Sequence, residues 1–173
     1  MAIGATIIQI NLLGAQSALI NTNIDMIGYL KIAQEAAVYR ESHRVTESEF
    51  IRLSKETEAI VLDARSREMF SLLHIKGAIN LSFPDISVES LARMLPDKGQ
   101  RILIYCNNNF QNSPRAFQLK SPNASLNLST YVALYSYGYT NVCELGPLLD
   151  VKTTKIEFEP KSEESILPNA TNK

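Results

Sequence analysis

The chain is poor in cysteine. Cys106 and Cys143 are its only two among 173 residues, which excludes a fold built on a disulfide framework. A single bridge between them stays open. Cys143, however, lies inside the apolar segment Asn141-Val142-Cys143-Glu144-Leu145 and reads better as a small buried residue. Histidine is as scarce: His43 and His74 have neither helical nor paired-cysteine spacing, so no metal site is expected. Neither sign of charge is in excess. A formal net charge of −1 gives nucleic acid no reason to bind. No internal repeat is present. Two gaps are local: no charged residue precedes Asp25, and no Asp or Glu occurs from Lys98 through Cys143, a span that holds Lys98, Arg101, Arg115 and Lys120.

What is there is ordinary in bulk. A hydrophobic content of 45% and a charged content of 20% are those of a soluble globular protein. The length suits one domain with a real core. The uncharged residues 1–24 have the character of the apolar part of a secretory signal, with Ala15-Gln16-Ser17 as a small-x-small cleavage site before Ala18. The lack of a basic residue near Met1 counts against this, and the alternative is a segment packed on the domain. Gln9, Asn11, Gln16 and Asn21 interrupt the run and argue against stable membrane insertion. An exported or periplasmic location is placed slightly ahead of a cytoplasmic one.

The spacing of apolar residues predicts a helix over residues 25–40, in which Ile27, Leu30, Ala33, Ala37 and Val38 share a face. Thr46-Glu47-Ser48-Glu49 has capping-box spacing and opens a second helix with Phe50 and Leu53 inward. Ala59-Ile60-Val61-Leu62 reads as a strand buried on both faces. A short helix over residues 67–72, a strand over 78–81 and a helix capped by Ser87 and stopped by Pro96 follow. Next come an apolar strand, Arg101-Ile102-Leu103-Ile104-Tyr105-Cys106, and an irregular stretch to about residue 125. The last elements are a helix from about 127 to 137 closed by Gly138, a strand over 141–145 and an edge strand within 154–158. The polar tail after Pro160 reads as mobile. Alternating strands and helices imply an α/β fold, a mainly parallel central sheet with helices on both faces.

Cys106 is the candidate nucleophile. A thiol reacts as its thiolate, and N–H groups of a tight loop and a following helix N-terminus stabilise such an anion. A residue just past a parallel strand stands at the carboxyl edge of the sheet, where open α/β folds bind ligands. The acid-free span around it suits a thiolate and an anionic substrate. On its own, a strand ending in cysteine is more often a buried structural thiol.

An upstream segment changes that balance. Asp63-Ala64-Arg65, Phe70 and His74-Ile75-Lys76-Gly77-Ala78 resemble the Asp-x-Arg and His-Ile-x-Gly-Ala signature of the rhodanese family of sulfurtransferases. The strand into Cys106 and Gly138-Tyr139-Thr140-Asn141-Val142 resemble further parts of it. The resemblance implies a single rhodanese-like domain over residues 45–150. It leaves residues 1–24, a helical extension over 25–44 and a tail over 151–173 outside. It also implies that Asp63, Arg65 and His74 are structural supports, and that Cys106 carries a persulfide without cofactor or metal. The partners implied are a small anionic sulfur donor and a thiol or cyanide acceptor.

The chain departs from the family where the chemistry occurs. Ordinary members follow the cysteine with a compact loop bearing glycine and arginine that runs directly into a helix. Here Cys106 is followed by Asn107-Asn108-Asn109-Phe110-Gln111-Asn112-Ser113-Pro114-Arg115, without glycine, and the helix starts much later. Asn107, Asn108, Asn109, Phe110 and Arg115 are the candidate substrate-binding residues. Asparagine tolerates the left-handed turns that glycine would make. Arg115 is out of register with the family's arginine. Two readings follow. One is a sulfurtransferase or persulfide carrier using Cys106. The other is a catalytically silent binding module that presents residues 107–125 to a protein partner. A cysteine phosphatase or arsenate reductase fits poorly, because Arg115 lies too far along the chain.

Overall fold

The computed structural model describes residues 21–159. The apolar run with its candidate cleavage site at Ala15-Gln16-Ser17, and the tail from Pro160, lie outside the described residues. The chain divides into two compact units between Lys31 and Ile32. In the first, Asp25 Oδ1 accepts from the Gly28 N–H at 2.8 Å and opens helix α1, Met26–Glu41. This helix continues into the second unit, which holds everything described below.

Five parallel strands build the central sheet in the order β1-β7-β5-β2-β4: β1 Arg44–Val45, β7 Val142–Leu145, β5 Ile102–Tyr105, β2 Ile60–Asp63 and β4 Ile79–Asn80. In β5, β2 and β7 nearly every residue is buried, as expected where helices cover both faces. Alternation along β5 splits the core. Leu103 and Tyr105 face Phe50 and Leu53 of α2 (Glu47–Leu53), with Leu73 and Ile75. Ile102 and Ile104 face Ala36 of α1, Leu91 of α4 (Val88–Met94) and Tyr131 and Leu134 of α5 (Leu126–Ser136).

Local chemistry sets the element ends. Thr46 caps α2 by accepting from the Glu49 N–H at 3.3 Å. Glu49 pairs with Arg52 instead of returning to the cap, so the capping box is half formed. Ser66 caps α3, Arg67–Leu72. Ser87 and Ser90 form a reciprocal box at the start of α4. Gly138, at φ 88°, closes α5 in the left-handed region that favours glycine.

Three short pairings escape the sequence pattern. One is β1 itself, at the sheet edge. The second joins β3, His74–Ile75, antiparallel to β9, Phe158–Glu159, so the edge strand expected within 154–158 starts only at Phe158 and has a partner that the sequence did not indicate. The third joins β6, Phe110–Gln111, parallel to β8, Leu149–Asp150. Among the described residues, no helix is long and apolar enough to cross a membrane, and no three His, Cys, Asp or Glu side chains gather as a metal site would need.

Candidate active site

Strand β5 is a central, fully buried strand, and its carboxyl end delivers Cys106 to the sheet edge. The chain then makes a single 3-10 turn, Asn107–Asn109, around the sulfur. The Asn108 N–H points at Cys106 Sγ, at 3.4 Å, and Ser125 Oγ lies 3.3 Å from the same atom. Ser125 immediately precedes α5, whose first turn has no acidic residue. The thiol therefore stands at the positive end of a helix. Both cysteines are free and buried, and Cys106 is only 1% exposed.

The three asparagines do different work. Asn109 is buried; its Oδ1 accepts from the Cys106 N–H at 2.9 Å, and its Nδ2 donates to the carbonyls of Leu145 and Pro147. Asn108 grips the far end of the insertion, donating to the Lys120 carbonyl at 2.8 Å and accepting from the Lys120 N–H at 3.1 Å. Asn107 is buried, and its carbonyl accepts from the Phe110 N–H.

Between these grips the insertion packs into the domain. Phe110 is fully buried and meets Tyr105, Phe117 and Phe158 with ring centroids 6.0, 4.7 and 5.1 Å away. The structure thus places Phe110 in the core and not on an open surface facing a substrate. A turn closed by the Phe117 N–H on the Ser113 carbonyl, 2.8 Å, buries Ala116 and Phe117 and leaves Arg115 exposed on its outer side. Arg115 has no ion pair among the described residues. Asn112, at φ 64°, takes the left-handed conformation and donates to Asp150 Oδ2 at 2.6 Å.

Asp63 and Arg65 form a buried pair beneath the insertion, 0% and 1% exposed. Arg65 Nη2 donates to Asp63 Oδ2 at 2.6 Å and to the Leu73 carbonyl at 2.7 Å. Its Nη1 donates to the Ala116 carbonyl at 2.7 Å, and its guanidinium lies 4.3 Å from the Phe117 ring centre. Tyr105 donates to Asp63 Oδ2 at 2.5 Å and accepts from the Ile75 N–H. Burial first, and then the Asp63 charge, push the Tyr105 hydroxyl well above its ordinary range. Burial opposes the charge on Arg65, but the hydrogen bond and attraction of Asp63 more than offset it. His74 Nδ1 hydrogen-bonds the Phe70 carbonyl at 2.8 Å, and its ring stacks on Phe70. This set fastens β3 and the insertion to the sheet.

Sequence reasoning missed Ser125, Asn127, Glu144 and Arg40. Glu144 ends the acid-free span by one residue, yet β7 brings it to the loop, where Asn127 Nδ2 donates to its Oε1 at 3.1 Å. Arg40 from α1 neutralises it through two hydrogen bonds, one of 2.7 Å from Nη2 to Oε1. Only Ser125 carried a signal, as a residue able to cap the helix that follows. The second thiol, Cys143, is pushed up by burial, an effect Arg101 partly offsets from 3.7 Å.

Comparison with known proteins agrees with this architecture. The rhodanese-like domain model matches residues 46–145. Thiosulfate sulfurtransferase PspE of Escherichia coli K12 is 29% identical over 96 residues, which cover 56% of this chain and 77% of that protein. The solution structure of the rhodanese-like domain of Alr3790 from Anabaena has the same fold, with a TM-score of 0.50 at 20% identity over 76% of this chain and 88% of that one. A structure of rhodanese with anions from Escherichia coli is 24% identical and covers 58% of this chain and 95% of its own, with a TM-score of 0.39. The matched segment runs from the cap of α2 to the end of β7, and it contains the Asp63–Arg65 pair, His74 and Cys106. The chain belongs to the rhodanese-like domain family.

Proposed function

We propose that this protein is a sulfurtransferase that carries sulfane sulfur as a persulfide on Cys106. The observation that carries the reading is the geometry at Sγ: a thiol at the carboxyl end of the central strand meets a backbone N–H and a serine hydroxyl ahead of an acid-free helix start. The Cys106 thiolate attacks the outer sulfur of a donor such as thiosulfate. The new S–S bond forms as the donor's S–S bond breaks, and sulfite leaves with the electron pair. An acceptor, a thiolate or cyanide, then attacks the terminal persulfide sulfur and restores the Cys106 thiolate. The Asn108 N–H, the Ser125 hydroxyl and the α5 terminus hold the negative charge in both steps. Thiosulfate is the first donor to test, because PspE is a thiosulfate sulfurtransferase.

Access needs a movement. With Cys106 1% exposed and Ser125 Oγ 3.3 Å from its sulfur, a donor reaches Sγ only after the residues around it shift. The same burial favours a second reading: a binding module that presents the insertion, residues 107–125, to a protein partner while Cys106 is inert.

One experiment separates them. Purified protein is incubated with thiosulfate, thiocyanate formation from cyanide is followed, and the Cys106 peptide is weighed by mass spectrometry. We expect turnover and one added sulfur in wild type, and neither in Cys106→Ser. Full transfer by Cys106→Ser, or a folded wild type with no adduct and no turnover, overturns the proposal.

A further inference from the structure

A line of polar groups runs from α1 to the backbone of the candidate nucleophile. Arg40 holds Glu144 from both carboxylate oxygens. Glu144 Oε1 accepts from Asn127 Nδ2, and the same nitrogen donates to Asn109 Oδ1 at 2.9 Å. Asn109 Oδ1 in turn accepts from the Cys106 N–H at 2.9 Å. Asn109, Asn127 and Glu144 are each at most 4% exposed.

The order of donors along this line is forced. A carboxylate only accepts, so Glu144 makes Asn127 present its NH2 group. Asn127 then leaves Asn109 no choice but to present its carbonyl oxygen, which is the atom that the Cys106 N–H needs. Reversing Asn127 sets acceptor against acceptor, and reversing Asn109 sets donor against donor. The arrangement leaves Asn127 Oδ1 buried without a partner among the described residues, an unfavourable state that native proteins rarely keep without reason. Arg40 lies outside the segment matched by the family model. The flanking helix α1 therefore reaches the site through a contact that the family match does not include.

We propose that Asn127 and Glu144, anchored by Arg40, are positioning residues that set the Asn109 amide and through it the turn that aims the Asn108 N–H at Cys106 Sγ. This rests on the sulfur-transfer reading for its kinetic consequence, but not for its structural one. Loss of the line lets the 3-10 turn relax and moves a donor off the reacting sulfur, while the donor's entry route is unchanged.

The test uses the full chain with Asn127→Leu, Glu144→Gln and Arg40→Met, and it reads kcat and KM for thiosulfate beside amide hydrogen exchange at Cys106 and Asn108. Glu144→Gln preserves volume and serves where Asn127→Leu does not fold. We expect kcat to fall about tenfold or more with KM within about twofold, and exchange at the Cys106 N–H to quicken. Folded variants with wild-type kcat and wild-type exchange overturn the relay and leave sulfur transfer standing. Quickened exchange in the variants of a wild type that moves no sulfur overturns the sulfur-transfer reading and keeps the relay. Loss of melting temperature alone, with kcat and exchange unchanged, also overturns the relay.

Discussion

Arg65 makes contacts that no other residue in the domain can replace together. It neutralises Asp63, satisfies the Leu73 and Ala116 carbonyls and lies against the Phe117 ring. Removing one member of a buried ion pair costs about 3–5 kcal/mol, because the other charge stays buried. We expect Arg65→Met to destabilise the protein by that order, measured as a lower denaturant midpoint in chemical unfolding. Half of this hub was legible in the sequence: Asp63 and Arg65 stand two apart in a family signature. The other half was not. Tyr105 and Ala116 join it across long stretches of chain, and no local periodicity encodes a hydrogen bond between distant residues. The same holds for Glu144, whose place beside the loop depends on β7 pairing with β5.

At the scale of the element, the insertion after Cys106 is a strap fixed at several points. Phe110 and Phe117 seat it in the core, Asn112 ties it to Asp150, and Asn108 clasps Lys120. The clasp is the exposed and weakest point, since exposed neutral hydrogen bonds contribute only about 1 kcal/mol each. We expect Asn108→Ala to leave global stability nearly unchanged and to raise the rate of iodoacetamide labelling at Cys106 several-fold, followed by peptide mass mapping. Unchanged labelling would mean that the clasp does not limit access. The strap's length was readable from the spacing between Cys106 and the helix closed by Gly138. Its pairing with β8 was not, because two-residue strands have no measurable alternation. That hidden pairing is what carries Phe110 inward, and the Ser113–Phe117 turn is what leaves Arg115 outside. Strands β2 and β5 were legible from unbroken apolar runs and helices α2 and α4 from their capping residues, whereas the apolar face read in α1 is not the buried one: Ile27, Leu30 and Val38 are exposed and Ala36 is buried.

For the whole molecule, the late part of the chain closes back on the early part. Glu47, at the start of α2, accepts from the Lys155 N–H at 2.6 Å and from Thr154 Oγ1. Lys76 pairs with Glu157, and β9 completes β3. The Thr154 hydroxyl, and then the Lys155 backbone, hold the Glu47 carboxyl below the usual carboxylate range. A carboxyl lowered in the folded state stabilises the protein above its unfolded value, and that contribution is lost as pH falls through the lowered native value. We expect the melting temperature of wild type to drop on acidification through the carboxylate range. Glu47→Gln should show a shallower drop and start from a lower neutral-pH plateau. Identical pH profiles for the two proteins would show that this contact has no part in acid unfolding. The cover over Cys106 has one more consequence. A reactive thiolate in the open is carried by peroxide up the oxidation ladder to sulfinic and sulfonic acids, which ordinary thiols do not reverse. Cys106 is 1% exposed, so the same burial that the proposed sulfur transfer must overcome also limits attack by small oxidants on the resting thiol.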